Sequence, residues 1–342
     1  METLIIENPN ESDIKEASRI IRSGGLVVFP TETVYGLGAS ALDPEAAKKI
    51  YAAKGRPSDN PLIIHLSRAE EAEKYCYTNE KFYKLAECFM PGPLTVILPK
   101  RDIIPMEVTG GLSTVAVRVP MNEIALELIK SSEVPIAAPS ANISGRPSPT
   151  CPIHVINDLG GKVDAILCGG ECEVGLESTI VRCEADGTVS QLRPGAITPE
   201  MLSAAMGGAE VIDLSTRKLD DDEKPIAPGM KYRHYAPKAK VTVLVGDREK
   251  IFKYMEELSS KEEIGFLTDF ETAKKLGKNA FSYGKRDSAK EMAHNLFKNL
   301  REFDEHEEIK QVYADMPKLQ GLGLAVYNRL IKAAGFDVRE IK

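Results

Sequence analysis

The sequence predicts an α/β protein of two domains, the first mixing strands and helices, the second a smaller, doubly wound, Rossmann-like parallel sheet. Three observations carry this. At 342 residues the chain exceeds one typical core, so about two domains are expected. Strand-like and helix-like segments alternate through both halves. From about Leu202 to Pro237 that periodicity fails, and "RKLDDDEKPIAPGMKYRHYAPKAK" reads as a charged, proline-containing connector. The boundaries read as 11–200 for the first domain, 201–237 for the connector and 238–342 for the second domain.

The elements follow in order. "GGLVVFPTETVYGLG" is a strand running into a turn-rich segment, with Thr31, Thr33 and Tyr35 expected on one side of extended chain. "DPEAAKKIYAAKG" is a helix with Asp43 as N-cap and Pro44 in its first turn. In "KGRPSDNPLIIHL" the two prolines exclude a helix interior, so "PLIIHL" is a short strand with Lys54 and Arg56 on a loop at its entrance. "LTVILP", "STVAVRVP", "VPIAAPSAN" and "DAILCGG" are further strands. "STIVRCEADGTVSQLRPG" is a hairpin turning at Asp186-Gly187. Beyond the connector, "KVTVLVGD", "IGFLTDF", "AFSYG" and "KQVYADMP" alternate with four helical stretches, the signature of a parallel sheet.

Composition excludes several classes. The residues are 43% hydrophobic and 28% charged, and no stretch approaches the roughly 18 apolar residues of a membrane span. The N-terminal residues lack a basic stretch followed by an apolar one, so no secretory signal is read there. A net charge of −7 argues against a protein that coats nucleic acid. The six cysteines form no CxxC pair and read as reduced thiols in a cytoplasmic setting. Cys168, Cys172 and His154 fit no standard zinc spacing, and no protein-held metal is expected.

Nucleotide motifs are mostly absent. There is no GxxxxGK[ST], and Gly36, Gly38 and Ala41 match GxGxxA without the apolar strand that should precede it. Gly321 and Gly323 read as a tight strand-to-helix turn. What recurs instead is a strand ending in small hydroxyls plus one cation. Lys54, Arg56 and Ser58 precede one strand and His65 closes it. Thr114, Ala116 and Arg118 share a face of another. "APSANISGRPS" supplies Ser140, Asn142, Ser144, Arg146 and Ser148, while "LESTIVR" and "LRPG" add Ser178, Thr179 and Arg193. Singly, each is an ordinary strand, cap or turn residue. Converging, they would form a cleft for a polyanion and a small polar partner, suited to phosphoryl or nucleotidyl transfer by positioning and charge neutralisation. A loop cation contributes little stability, so replacing Lys54 or Arg56 is expected to cost activity and spare the fold.

The segments "GGLVVFPTETVYGLGASA", "KGRPSDNPLIIHL", "APSANISGRPSPT" and "ESTIVR…LRPGAI" resemble the YrdC family, threonylcarbamoyl-AMP synthases, and "PGMKYRHYAP" with its α/β tail resembles the two-domain form. Ala227 stands where a serine is expected before "PGM". The resemblance implies a twisted, open mixed sheet for the first domain. It implies a reaction joining L-threonine, bicarbonate and ATP into threonylcarbamoyl-adenylate and pyrophosphate. The adenylate would pass to a downstream threonylcarbamoyl transferase that modifies tRNA beside the anticodon. Threonine would lie near Thr31, His65, Arg118, Ala138 and Ser178. ATP would be held by Lys54, Ser58, Thr114, Ser140, Ser148, Arg193 and Tyr235. Lys54-x-Arg56 and Ser140-x-Asn142 are the family's signature pair, read as the catalytic set. Mg2+ is expected with ATP, whose charge exceeds what a few side chains neutralise.

Met230, Tyr232, His234 and Tyr235 in the connector suggest a lid, with Tyr235 on ATP; a domain staple is the competing reading. Two other functions stand beside the synthase. An RNA-binding module would need a basic surface and stacking aromatics, which the composition does not favour. A carbamoyl transferase of hydrogenase-maturation type would carry zinc-finger CxxC arrays, and none occurs here. Direct contact with tRNA does not follow from the residues.

Overall fold

A computed structural model describes residues 2–215, 225–228, 235–316 and 318–342. The chain divides into two compact units. The first comprises Met1–Ser144, Pro149–Glu173 and Glu177–Lys231, the second Gly145–Ser148, Val174–Leu176 and Tyr232–Lys342.

The first unit runs β1 (Leu4–Glu7), α1 (Glu11–Arg22), β2 (Val27–Phe29), β3 (Gly36–Ser40), α2 (Pro44–Lys54), β4 (Ile63–His65), α3 (Glu80–Phe89) and β5 (Leu94–Pro99). It continues with α4 (Met106–Thr109), β6 (Thr114–Arg118), α5 (Glu123–Ser132), β7 (Ile136–Ala138), α6 (Pro152–Leu159) and β8 (Ala165–Cys168). It closes with β9 (Thr179–Cys183), β10 (Val189–Arg193), α7 (Pro199–Ala205) and β11 (Val211–Asp213). The eleven strands form one mixed sheet ordered β1-β8-β2-β3-β7-β4-β6-β5-β9-β10-β11. The short strand β11 pairs parallel with β10, so ordered sheet extends into residues whose sequence reads as connector.

Local chemistry sets several of these boundaries. Asp43 accepts from Glu45 N and Pro44 takes the first position of α2, as the sequence requires. The β9–β10 hairpin is antiparallel, and Gly187 turns it at φ +99°.

The two faces of the sheet differ. Val28, Leu37, Ile64, Val117 and Val96 point to the larger core. On the other face, α1 and α5 cover Val27, Phe29, Ile136 and Ala138. Farther along that face Ile63, Ile97, Ala116, Ile180 and Leu192 pack with Ala227. Gly36 and Gly38 let the Phe29 ring lie across β3. A Cβ at Gly38 would stand 2.7 Å from both Phe29 Cε1 and Ile136 Cγ2, and one at Gly36 would stand 3.1 Å from Phe29 Cζ. Packing is thus the reason for this Gly-x-Gly, in accord with its weak fit to a dinucleotide motif.

The second unit has β12 (Lys240–Gly246), α8 (Arg248–Leu258), β13 (Ile264–Thr268), α9 (Phe270–Leu276), β14 (Ala280–Ser282), α10 (Ala289–Glu302), β15 (Gln311–Asp315), α11 (Leu322–Ala333) and β16 (Val338–Ile341). Its five strands are all parallel, ordered β14-β13-β15-β12-β16. The last strand, only four residues long and apolar just at its two ends, gives no hydrophobic alternation from which to read it. The two short segments from earlier in the chain are integral to this unit. Arg301 Nη2 donates to Pro147 O at 2.6 Å, and a Cβ at Gly175 (φ +77°) would stand 2.6 Å from His294 Cα. Among the described residues no helix is long and apolar enough to cross a membrane.

Candidate active site

Three groups of polar side chains gather in the first unit. The first is built from the end of α2 and the loop after β7. Lys54 is the last residue of α2, which ends at Gly55 in the left-handed conformation. Its ammonium donates to Ser140 O, to Asn142 O and, at 3.2 Å, to Asn142 Oδ1. Ser140 Oγ donates to the same Oδ1, and Ser144 N returns a bond to Lys54 O at 2.9 Å. The sequence reading put Lys54 on an exposed loop, and this is corrected. Its side chain is buried, with relative exposure of 2%, because three carbonyl-type oxygens replace the water an ammonium would otherwise need. Arg56 stays partly exposed and donates to Asn60 O and, at 3.1 Å, to Pro61 O. Ser58 is exposed.

The second group lies at the carboxyl ends of β4 and β6. These strands are parallel, and their register sets His65 beside Arg118. Ile63 lies between Ala116 of β6 and Ala138 of β7. Small side chains therefore flank it on the face that carries His65 and Arg118. The Phe29 ring meets His65 edge-on, with centroids 6.0 Å apart. Burial, and then the Arg118 cation, hold the His65 imidazole down at about 3, so it is neutral near pH 7. Arg118 Nη2 is 2.8 Å from Glu32 Oε1, in an ion pair only 5% and 2% exposed at its side chains. Glu32 is a residue that the sequence reading passed over. Its signal was a lone acid in a run otherwise apolar or hydroxylic, "FPTETVYG".

Thr31 enters this region through a turn, which corrects the expectation of extended chain. Thr31 Oγ1 donates to Val34 O at 2.6 Å and accepts from Val34 N, closing a hydroxyl turn. The Thr31 and Thr33 hydroxyls still meet, 2.8 Å apart. Tyr35 leaves the turn toward the signature loop, where Ala141 N donates to Tyr35 O.

The third group joins β5, β9 and β10. Ser178 Oγ lies 2.7 Å from Thr95 Oγ1 and accepts from Arg193 Nη2 at 3.1 Å, while Arg193 Nε donates to Ser178 O. Gly195 is required here, since a Cβ would stand 2.6 Å from Thr179 N. Thr114 opens β6 opposite Pro99 and is partly exposed. Ser148 and Tyr235 fall in the second unit, where Ser148 is fully buried. The Tyr235 ring packs on Phe297 (centroids 5.1 Å apart), with the Arg329 guanidinium 5.9 Å from its centre. Met230, Tyr232 and His234 lie outside the described residues.

Residues 19–195 match the Sua5/YciO/YrdC family model, described as "Telomere recombination". Residues 197–335 match a model described as "Threonylcarbamoyl-AMP synthase, C-terminal domain". A Pyrococcus abyssi protein named threonylcarbamoyl-AMP synthase is 46% identical, the match covering 99% of this chain and 100% of that one. The chain belongs to the threonylcarbamoyl-AMP synthase family. A Bacillus subtilis relative of the same name is 44% identical over 95% of this chain and 94% of its own. The crystal structure of P. abyssi Sua5 complexed with L-threonine superposes with a TM-score of 0.90 at 43% identity, covering both chains fully. Membership in the threonylcarbamoyl-AMP synthase family makes this protein an ATP-using enzyme. Its mixed sheet and second parallel sheet agree with the expected fold.

Proposed function

We propose that this chain condenses L-threonine, bicarbonate and ATP into threonylcarbamoyl-adenylate, pyrophosphate and water. The observation that carries the reading is the pairing of a neutral His65 with the buried Arg118 at two adjacent strand ends, beside the small Ala138 and Ala116. A guanidinium there suits a substrate carboxylate, and the alanines leave room for a small side chain. Thr31 and Ser178 supply hydroxyls for the threonine.

Bicarbonate yields CO2 by losing water; the threonine amine, once uncharged, attacks that CO2 and gives up a proton to solvent, and the resulting carbamate oxygen attacks the α-phosphorus of ATP as pyrophosphate leaves. The chain's work is to position these groups and offset crowded negative charge. Arg193 and Arg56 are suited to the phosphates, with Thr114 and Ser58 as hydroxyl donors. Lys54, with Ser140 and Asn142, shapes the loop that faces them. Mg2+ is expected to arrive with the triphosphate, taking most of its ligands from phosphate oxygens and water.

The test is mass spectrometry of the products formed from ATP, bicarbonate and each amino acid in turn, with pyrophosphate followed alongside. Threonine should give the carbamoyl-adenylate in the greatest yield. Pyrophosphate release that ignores the amino acid, or no adenylate with threonine, would refute the reading.

A further inference from the structure

Glu32 has no place in the scheme above, yet it is among the most deeply held acids of the first unit. One oxygen, Oε2, accepts from Met121 N at 3.1 Å, which ties the carboxylate to the chain just beyond β6. The other, Oε1, lies 2.8 Å from Arg118 Nη2, but the two are not aligned as a hydrogen bond. Both atoms are buried and have no hydrogen-bond partner among the described residues, and so is His65 Nδ1 on the neighbouring strand. Three buried side chains at one place therefore keep hydrogen-bonding capacity that burial normally forbids. Such capacity is met when a polar ligand enters.

The charges say which kind of ligand. Arg118 and Glu32 cancel, and His65 adds no charge near pH 7. A simple carboxylic acid would satisfy the guanidinium and leave the Glu32 carboxylate facing another anion. A free α-amino acid is a zwitterion and matches the pair, with its carboxylate on Arg118 and its ammonium on Glu32. We propose that Glu32 is the amine-recognising residue of the substrate site, selecting a free α-amino acid over acids that lack the amine. The proposal rests on the threonine-utilising reading above and deepens it. Because the ammonium exists in the bound substrate and is lost before carbamoylation, Glu32 acts on substrate binding more than on turnover.

Calorimetric titration of L-threonine and of (R)-3-hydroxybutyrate, which is the same acid without its amine, separates the possibilities. The full-length wild type should prefer L-threonine by tenfold or more. In Glu32→Gln that ratio should collapse through loss of threonine affinity, with 3-hydroxybutyrate held as before. In steady state, the threonine KM should rise about tenfold while kcat stays within about threefold. A preserved ratio overturns the proposal, and so does equal weakening of both acids, which would mean that Glu32 only holds Arg118 in place. Should Glu32→Gln fail to fold, Glu32→Asp keeps the charge and withdraws it by one methylene. That variant should lower the ratio, and an unchanged ratio overturns the proposal. A wild type that binds neither acid refutes the threonine reading itself, whereas a wild type that prefers threonine equally with or without Glu32 refutes only the present inference.

Discussion

Lys54 shows how a residue's surroundings change what its substitution reports. A lysine whose ammonium is enclosed by Ser140 O, Asn142 O and Asn142 Oδ1 supports the loop it touches, and truncation strands those oxygens in a buried place. Lys54→Ala should therefore lose about 1.5–3 kcal/mol of stability together with its activity. Arg56→Ala, at a partly exposed site, should stay within about 1 kcal/mol of wild type. Urea denaturation of the two variants decides this, and equal stabilities would contradict the clamp. His65 makes a prediction of a different kind. Its imidazole titrates near 6.5 when unfolded and is held down to about 3 when folded, so below pH 6.5 the unfolded chain binds the extra proton. Stability of the first unit should fall as pH drops from 6.5 toward 3, by up to about 1.4 kcal/mol per pH unit. Hydrogen exchange of the β4 and β6 amides would show the slope, and His65→Gln should remove it.

At the scale of elements, the strongest signals in the sequence were those fixed locally. The Asp43-Pro44 start of α2, the "PLIIHL" strand and the Asp186-Gly187 hairpin each need only a few neighbouring residues, and each is present. What escaped depends on partners distant in sequence. Thr31 to Tyr35 alternates like a strand, but the Thr31 hydroxyl captures Val34 and bends the chain. The burial of Lys54 depends on a loop more than eighty residues away, and the Glu32–Arg118 pair likewise spans the unit. Most candidate residues could be named because hydroxyls and cations recur at strand ends, while Ala138 and Tyr235 came only with the resemblance; their mutual bonds could not be read, since periodicity carries no information on which ends meet. One element also offers a stability test. Helix α5 ends on Glu133 at φ +56°, a left-handed conformation that strains a residue with a side chain. Glu133→Gly should stabilise the first unit by up to about 1 kcal/mol. An unchanged or lower denaturation midpoint would contradict it.

Across the whole molecule, two buried groups, one in each unit, should contribute to the acid response in opposite senses. In the second, burial lifts the Asp315 carboxyl to about 6, against the hydrogen bonds that Tyr283 and Thr268 give it. A raised carboxyl binds a proton in the folded state first, so its contribution is complete below about pH 4 and is lost as pH rises through 6. The second unit should thus gain about 1–3 kcal/mol between pH 8 and pH 4 from this group, while His65 makes the first unit lose. Asp315→Asn should abolish the gain, as read by hydrogen exchange of β13 and β15 at a series of pH values.

The composition of that second unit also bears on how the chain is made. Gly145–Ser148 and Val174–Leu176 belong to it, yet they leave the ribosome long before the rest. Pro147 and its partner Arg301 are separated by 154 residues. At about 5–20 residues per second of synthesis, the Pro147 carbonyl waits roughly 8–30 s for the guanidinium that will hold it. For that interval the nascent first unit carries two segments whose permanent neighbours do not yet exist. A stop codon placed after the first unit would make that waiting state permanent.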